Sequence, residues 1–516
     1  MVGHTAQDEV ADERADGVRV SCRELGRPEA GFAGAPMALC TFELDAGVTF
    51  TYLHRGSGAA AGHETAWFGR WRIDGTPPRR AERAAAAGSR SSDPRISDVS
   101  EPIQIGGAGD PLAPVWEAAR TAADGAAAYA VGGPVRDLLR GDPSRDADIA
   151  IEGDAVAVAR RLADVLGGGR VVVHRAFGTA VVHAPDVRVD LAATRSERYP
   201  YPASLPVVSR AGIDADLARR DFTVNALAAG LSGPRAGELL DPFDGRADLA
   251  AATIRILHPG SFRDDPTRIF RAARYAARLG FALDAETERL AGDAVAEGLV
   301  GELSGARVRA DLVALLGESA ATVAAALRIA DGLGLLAAVG PGLAAERLDV
   351  LERLDVVHDR FAARIPIWRP RLALIARESG DVAARGLVER LRLRRSDAAN
   401  VRAAAAAPAK LGAKLATATA PSDVAELLDR LPPDAALLVA ATGGPGAGAA
   451  ELYLERLRGI RLEIDGTVLR DELGLAASPR VGEVLAELLR RKRNGQLADR
   501  GSELEAAREL VGRAAS

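Results

Sequence analysis

Residues 127–152 read AAYAVGGPVRDLLRGDPSRDADIAIE. Ala127 to Val131 is an apolar run of strand length. Gly132-Gly133 then lets the backbone turn tightly into a helix whose first N–H groups suit an anion such as a triphosphate. After an Asp142-Pro143-Ser144-Arg145 link, Asp146-Ala147-Asp148 heads a second apolar run. Side chains alternate along a strand, so Asp146 and Asp148 share one face while Ala147 and Ile149 take the other. Two carboxylates side by side repel each other, and a divalent cation relieves them, Mg²⁺ with phosphate oxygens being the usual partner. Gly-Gly before a helix is a weak signal; coupled to Asp-x-Asp about a dozen residues later it is a strong one.

Working outward, short apolar strand candidates alternate with helices from about Pro111 to Gly230: Ala127 to Val131, Asp148 to Ile151, Arg170 to His174, Thr179 to His183 and Val187 to Ala192. This pattern predicts an α/β or α+β domain with a small sheet. Beyond Leu249 the periodicity becomes helical, as in Thr267 to Leu279 and Ala306 to Leu316, and stays so to the end. Ala403 to Pro408 and Gly443 to Gly448 read as breaks between helices. The first hundred residues differ in kind: they hold both Met, both Cys and three of the seven His, yet no motif. Strands are expected at Phe42 to Tyr52, and the segment as a whole reads as disordered or poorly packed. A natural start beyond it, with Val99 as a non-AUG site, is the corresponding expectation.

At 516 residues the chain calls for several domains. With 48% hydrophobic and 27% charged residues it has the composition of a soluble globular protein. No apolar run reaches the roughly 18 residues of a membrane span, and no signal peptide opens the chain, so a cytoplasmic location is expected. Cys22 and Cys40 alone support neither a disulfide framework nor a Cys-based metal site. The net charge of −5 argues against indiscriminate nucleic-acid binding by the whole surface but leaves room for a local basic groove. Arg outnumbers Lys so heavily that a GC-rich genome explains its abundance.

Four more clusters belong with the first. Val187-Arg188-Val189-Asp190-Leu191 sets Asp190 in an alternating strand, where it offers a third carboxylate. Asp216-Leu217-Ala218-Arg219-Arg220-Asp221-Phe222-Thr223-Val224-Asn225 packs cations and a carboxylate beside hydrogen-bonding side chains. Asp241-Pro242-Phe243-Asp244-Gly245 is a turn. Arg263-Asp264-Asp265-Pro266-Thr267-Arg268 opens a helix that continues through Arg271, Arg274 and Arg278, with Pro266 in its first turn and Asp265 and Arg268 on one face. By itself this last cluster reads as a capped helix with a local ion pair.

In this order the five clusters resemble the class II tRNA nucleotidyltransferase and poly(A) polymerase family, over about residues 128–312. A weaker likeness covers Ile464-Asp465-Gly466, Leu473-Gly474-Leu475, Ser478 to Gly482 and Asn494-Gly495. The resemblance implies an α+β nucleotidyltransferase head with a small mixed sheet (101–248), then an all-α neck that reads the base (249–315), body (316–402) and tRNA-binding tail (403–516), after an extension at 1–100. It implies that Asp146 and Asp148 bind two Mg²⁺, with Asp190 beside them in catalysis. Gly132, Gly133, Arg136, Arg219, Arg220, Asp221, Asn225, Arg271 and Arg274 then serve the nucleotide, and Asp265 and Arg268 select its base. The implied reaction adds CMP and AMP from CTP and ATP to the 3′ end of tRNA, releasing pyrophosphate, with no protein partner inferred. The run Arg490-Arg491-Lys492-Arg493 suits either the tRNA backbone or the C-terminus of a helix. The family's helix usually opens on Glu where this chain has Asp264, and His358-Asp359 reads as ordinary helix rather than as part of a phosphohydrolase metal site. CC-only, A-only or poly(A) addition remain as alternatives, with a non-catalytic RNA-binding relative more remote; the loop from Tyr199 to Val207 is the one thought to govern such choices. A dinucleotide-dependent oxidoreductase fails for want of a third glycine and a ribose-binding acid.

Overall fold

The computed structural model describes residues 11–15, 18–25, 37–44, 49–55, 105–107, 110–142, 146–174, 178–185, 187–362, 364–377 and 380–512. The chain divides into two compact units, Met1–Asp93 and Pro94–Ser516. In the first, β1 (Ala11–Ala15), β2 (Val18–Leu25), β3 (Met37–Leu44) and β4 (Thr49–Arg55) form an antiparallel meander in sequence order. Cys22 stands opposite Cys40 in its register. Strands were expected at Phe42 to Tyr52, and Phe42 lies in β3 and Tyr52 in β4. The rest of this extension, and the Pro143-Ser144-Arg145 link, lie outside the described residues.

The second unit opens on a seven-stranded mixed sheet. Its strands are β5 (Ala127–Val131), β6 (Ala147–Glu152), β7 (Arg170–His174), β8 (Thr179–His183), β9 (Arg188–Ala193), β12 (Ala228–Ser232) and β13 (Leu239–Leu240). Their order is β13-β12-β5-β6-β9-β8-β7, and β6 with β9 is its one parallel pair. β10 (Arg195–Arg198) and β11 (Val207–Arg210) make a separate hairpin. Alternation along β6 and β9 buries Ile149, Ile151, Val189 and Leu191 with Trp116 and Leu162. Those last two come from the helices Ala113–Ala123 and Ala155–Val165, the latter capped by Asp154. Burial of such side chains contributes about 1.5 to 3 kcal/mol each. The same alternation turns Asp148 and Asp190 to the opposite face, part of which is covered by the short helix Ile213–Ala218, with Leu217 against Tyr129 and Val131, and by Phe243.

Helices follow. Thr267–Leu279 buries Ile269, Phe270, Ala273 and Ala276 along one side and ends at Gly280 with φ 69°. Its other side shows Arg271, Arg274 and Arg278, three and four residues apart. Gly305–Leu316, capped by Ser304, packs against it. The helix Arg395–Thr417 runs straight through Ala403 to Pro408, the site of an expected break and of the expected body–tail border at 402/403. Alanine is the best helix former, and burial of Ala404, Ala405 and Ala407 offsets what Pro408 costs. The main core continues to Leu457, and a separate one forms from Ile464 onward, with Leu469, Val484, Leu488 and Leu504. Gly443, with φ 67°, does end a helix as expected. Among the described residues no helix is long and apolar enough to cross a membrane.

Candidate active site

A groove of about 780 Å³ opens on the uncovered face of the sheet. It is lined by Gly132, Gly133, Arg136, Asp146, Asp148, Asp190, Arg219, Arg220, Asp221, Asn225, Asp265, Arg268 and Arg271. Every residue that sequence assigned to metal or nucleotide is thus in one place, except Arg274, whose guanidinium lies 5.2 Å from the centre of the Tyr275 ring beside the groove.

The acidic wall follows from strand register. Asp148 on β6 stands directly opposite Asp190 on β9, and Asp146 precedes β6 by one residue. Burial, then Asp190, pushes the Asp148 carboxyl up to about 6, with Asp146 adding to the effect and Arg220 opposing it. Asp190 is held 3.0 Å from Arg188. Among the described residues no three such groups converge into a cage for an ion. The set fits a divalent cation in another way: hard oxygen donors, crowded like charges and open space for phosphate oxygens to complete the shell.

Gly132 has φ 70° and ψ −123°, a backbone region that belongs to glycine, and a Cβ there would lie 2.8 Å from Arg220 Nη1. Arg220 is tied by Asp216 Oδ2 at 3.0 Å and by the Asn225 carbonyl at 3.3 Å, and its Nε is buried without a partner among the described residues. Asp216, only 2% exposed, also holds Arg219 at 2.8 Å, and Glu197 takes the other side of Arg219. Arg136, equally buried, donates to both oxygens of Asp137 and to Asn225 Oδ1 at 2.6 Å. Asn225 donates to Asp221, which accepts from Arg271 at 2.6 Å on its other oxygen. Burial alone would raise the Asp221 carboxyl, but Arg271 and Asn225 outweigh it and hold it below the usual range.

Asp265 and Arg268 do not bond each other. Asp265 Oδ1 accepts from the Thr267 N–H and hydroxyl and from Arg307 Nη2 at 2.7 Å, leaving Oδ2 uncommitted among the described residues. Arg268 is 5% exposed and spends one N–H on Ser261 Oγ at 2.6 Å and one on the Arg219 carbonyl at 2.8 Å. The expected local ion pair is replaced by two side chains fixed separately, each with capacity to spare. Arg307 Nη1 also holds the Ala203 carbonyl at 2.7 Å, which anchors the Tyr199 to Val207 loop. One turn further on, Asp311 lines the groove, its carboxyl pushed up to about 6 by burial against the opposing Arg271.

Sequence reasoning passed over Asp216, Glu197, Arg307 and Asp311. Asp216 stood in the quoted cluster; the others lie in segments whose partners are distant in the chain. The Arg490–Arg493 run is fully engaged: Arg490 and Arg491 with Glu487, Lys492 with the buried Glu503, Arg493 with Asp429. His358 is a buried helix residue, Nε2 against the Ile365 carbonyl at 2.6 Å.

Residues 128–255 match the family described as the Poly A polymerase head domain. Over 399 residues, 74% of this chain and 45% of the relative, the sequence is 36% identical to an A-adding tRNA nucleotidyltransferase of Geobacter sulfurreducens. The chain spans less than half the length of the curated A-adding relatives it matches. The fold is similar to a CCA-adding enzyme in an apo form, with TM-score 0.65 and 28% identity over 78% of this chain and 96% of that one. It is also similar to the Thermotoga maritima CCA-adding enzyme complexed with tRNA, with TM-score 0.60 and 28% identity over 81% of this chain and 97% of that one.

Proposed function

The chain belongs to the class II tRNA nucleotidyltransferase and poly(A) polymerase family, and on that premise we propose that it adds CMP and AMP from CTP and ATP to the 3′ end of cytoplasmic tRNA, completing CCA without a nucleic-acid template. The observation that supports this reading most is the pair Asp265 and Arg268, each held by other partners and facing the same groove as Asp148 and Asp190. Cytosine and adenine both present an amino donor beside a ring-nitrogen acceptor. Asp265 Oδ2 accepts from the first and a remaining Arg268 N–H donates to the second. Guanine and uracil present the reverse polarity and would leave buried charge unpaired, at a cost of about 1 to 3 kcal/mol.

Asp146 and Asp148, with Asp190 beside them, would hold two Mg²⁺, which when bound supply charge that activates the RNA 3′-hydroxyl and neutralises the leaving phosphates. The hydroxyl oxygen bonds to the α-phosphorus, the bond from that phosphorus to the bridging oxygen breaks, and pyrophosphate leaves. Gly132 and Gly133 bring backbone N–H groups to the triphosphate. Arg219 and Arg220, aimed by Asp216, meet its charge, and Asp221 with Asn225 orders Arg136 and Arg271 around it.

A second reading, addition of A alone, is favoured by the A-adding name of the Geobacter relative. Supplying tRNAs that end before CCA, after C or after CC, with CTP and ATP in separate reactions, decides between them. Full CCA activity extends the first two with CTP and the third with ATP; an A-adding enzyme extends only the third.

A further inference from the structure

Each residue of the basic run near the C-terminus faces a carboxylate of the chain itself, which leaves open where a polyanion would be gripped. We infer that Arg392, Arg394 and Arg395, at the turn before the helix Arg395–Thr417, form a docking surface for the sugar-phosphate backbone of the RNA substrate. The inference rests on the tRNA reading above.

Three observations carry it. Arg392, Arg394 and Arg395 are exposed, and none has an ion pair or a side-chain hydrogen bond among the described residues. This contrasts with Arg490 to Arg493, each of which faces a carboxylate. Next, Arg394 is the N-cap and Arg395 the first residue of a 23-residue helix. Cations there oppose the positive end of the helix dipole, where acidic residues are the stabilising choice by about 0.3 to 1 kcal/mol. The one acid of that first turn, Asp397, is committed to Arg369 at 3.1 Å. Self-repelling charge at a helix start is unfavourable in the free protein and is relieved by an anion, as the N-terminal N–H groups are.

The third observation is position. Arg309 donates to the Leu391 and Arg392 carbonyls, and Arg390 donates to Val300 at 2.9 Å. Gly305 lies so close to the Arg390 carbonyl that a Cβ would not fit. The turn bearing the three arginines is therefore fastened to the helix Gly305–Leu316, two residues from Arg307, which holds Asp265. Two residues along a helix turn through about 200°, so Arg309 leaves the helix on the side away from Arg307, and the helix with two arginine side chains sets the basic turn on the order of two helix diameters, about 20 Å, from the base-selecting carboxylate. Half-buried Arg402, seven residues after Arg395 and on the same helix face, extends the surface along the helix.

The test is filter binding of a tRNA lacking its CCA end, without nucleotide or Mg²⁺, across a salt series, for the wild type and for R392Q/R394Q/R395Q. Each lost phosphate contact reduces the slope of log affinity against log salt by about 0.7 to 0.9. The triple variant is expected to lower that slope by about 2 and to bind at least tenfold more weakly at moderate salt, with its melting temperature kept. Unchanged affinity and slope in the variant overturn the inference while leaving the functional reading intact. If the triple variant loses its melting transition, R394Q alone is to lower the slope by just under 1, and an unchanged slope there overturns the inference too. Wild-type protein that ignores tRNA but binds vesicles of anionic lipid overturns both.

Discussion

Replacing Gly132 by Ala separates backbone necessity from mere smallness, because Gly133 next to it is an internal control. At Gly132, φ 70° and ψ −123° place any L-residue in a sparsely populated region, which costs about 1 to 3 kcal/mol. The new Cβ would also stand 2.8 Å from Arg220 Nη1, which cannot swing freely because Asp216 and the Asn225 carbonyl hold it. At Gly133 a Cβ would make only an ordinary 3.7 Å contact with Arg136 Nη2, and the residue is helical, where Ala is favoured over Gly. Gly132→Ala is therefore expected to lower unfolding free energy in urea by about 1 to 3 kcal/mol and to raise KM for both CTP and ATP. Gly133→Ala should stay within about 1 kcal/mol of wild type. Equal stability losses in the two variants, or none in Gly132→Ala, would refute the argument that this turn requires a glycine conformation and a clear path for Arg220.

Asp148→Asn should stabilise the metal-free protein above about pH 6, by at most about 3 kcal/mol, since the folded carboxyl titrates near 6 against an ordinary 3.8. With the folded value raised, the neutral form's contribution is full below about pH 4 and lost as pH rises through 6, so the variant's advantage must vanish in acid; equal melting temperatures at pH 8 in chelator count against it. Asp265→Ala or Arg268→Ala should blur selection of CTP and ATP over UTP and GTP by about tenfold or more, read from single-nucleotide incorporation ratios, and unchanged ratios reduce both residues to a helix start. Glu503→Gln, which leaves Lys492 with the more distant Glu463 as its one carboxylate partner among the described residues, should destabilise the tail by about 1 to 3 kcal/mol and be seen as a lowered melting transition, because Glu503 is fully buried and also accepts the Glu463 and Ile464 N–H groups.

The head was legible because its chemical residues sit in short elements and turns whose sequence pattern is local. Asp148 faces the groove for the same reason that Ile149 does not, and Gly132 announces its turn. The strand Ala228–Ser232, with sequence AAGLS, was invisible since small residues carry little period-two contrast. Arg307 and Asp311 escaped notice because their meaning depends on Asp265 and Arg271, some forty residues away and brought close only by packing of two helices. Composition misled at Ala403 to Pro408, where helix propensity and burial outweigh a proline, while Arg490 to Arg493 do stand in the last turn of a helix, one of the two places that suited them, with carboxylate partners from several elements that the local sequence does not show.

The central claim is that this groove builds the 3′ end of tRNA, and sequencing that end tests it most directly. Purified protein, tRNA lacking its CCA end, all four nucleoside triphosphates and Mg²⁺ are combined, and the 3′ termini are read for the wild type and for Asp146→Ala. The wild type is expected to add C and A in the order CCA and stop, and the Asp146→Ala products to be indistinguishable from input RNA. Untouched termini with the wild type, incorporation of all four bases alike, or an Asp146→Ala variant as active as the wild type would contradict it.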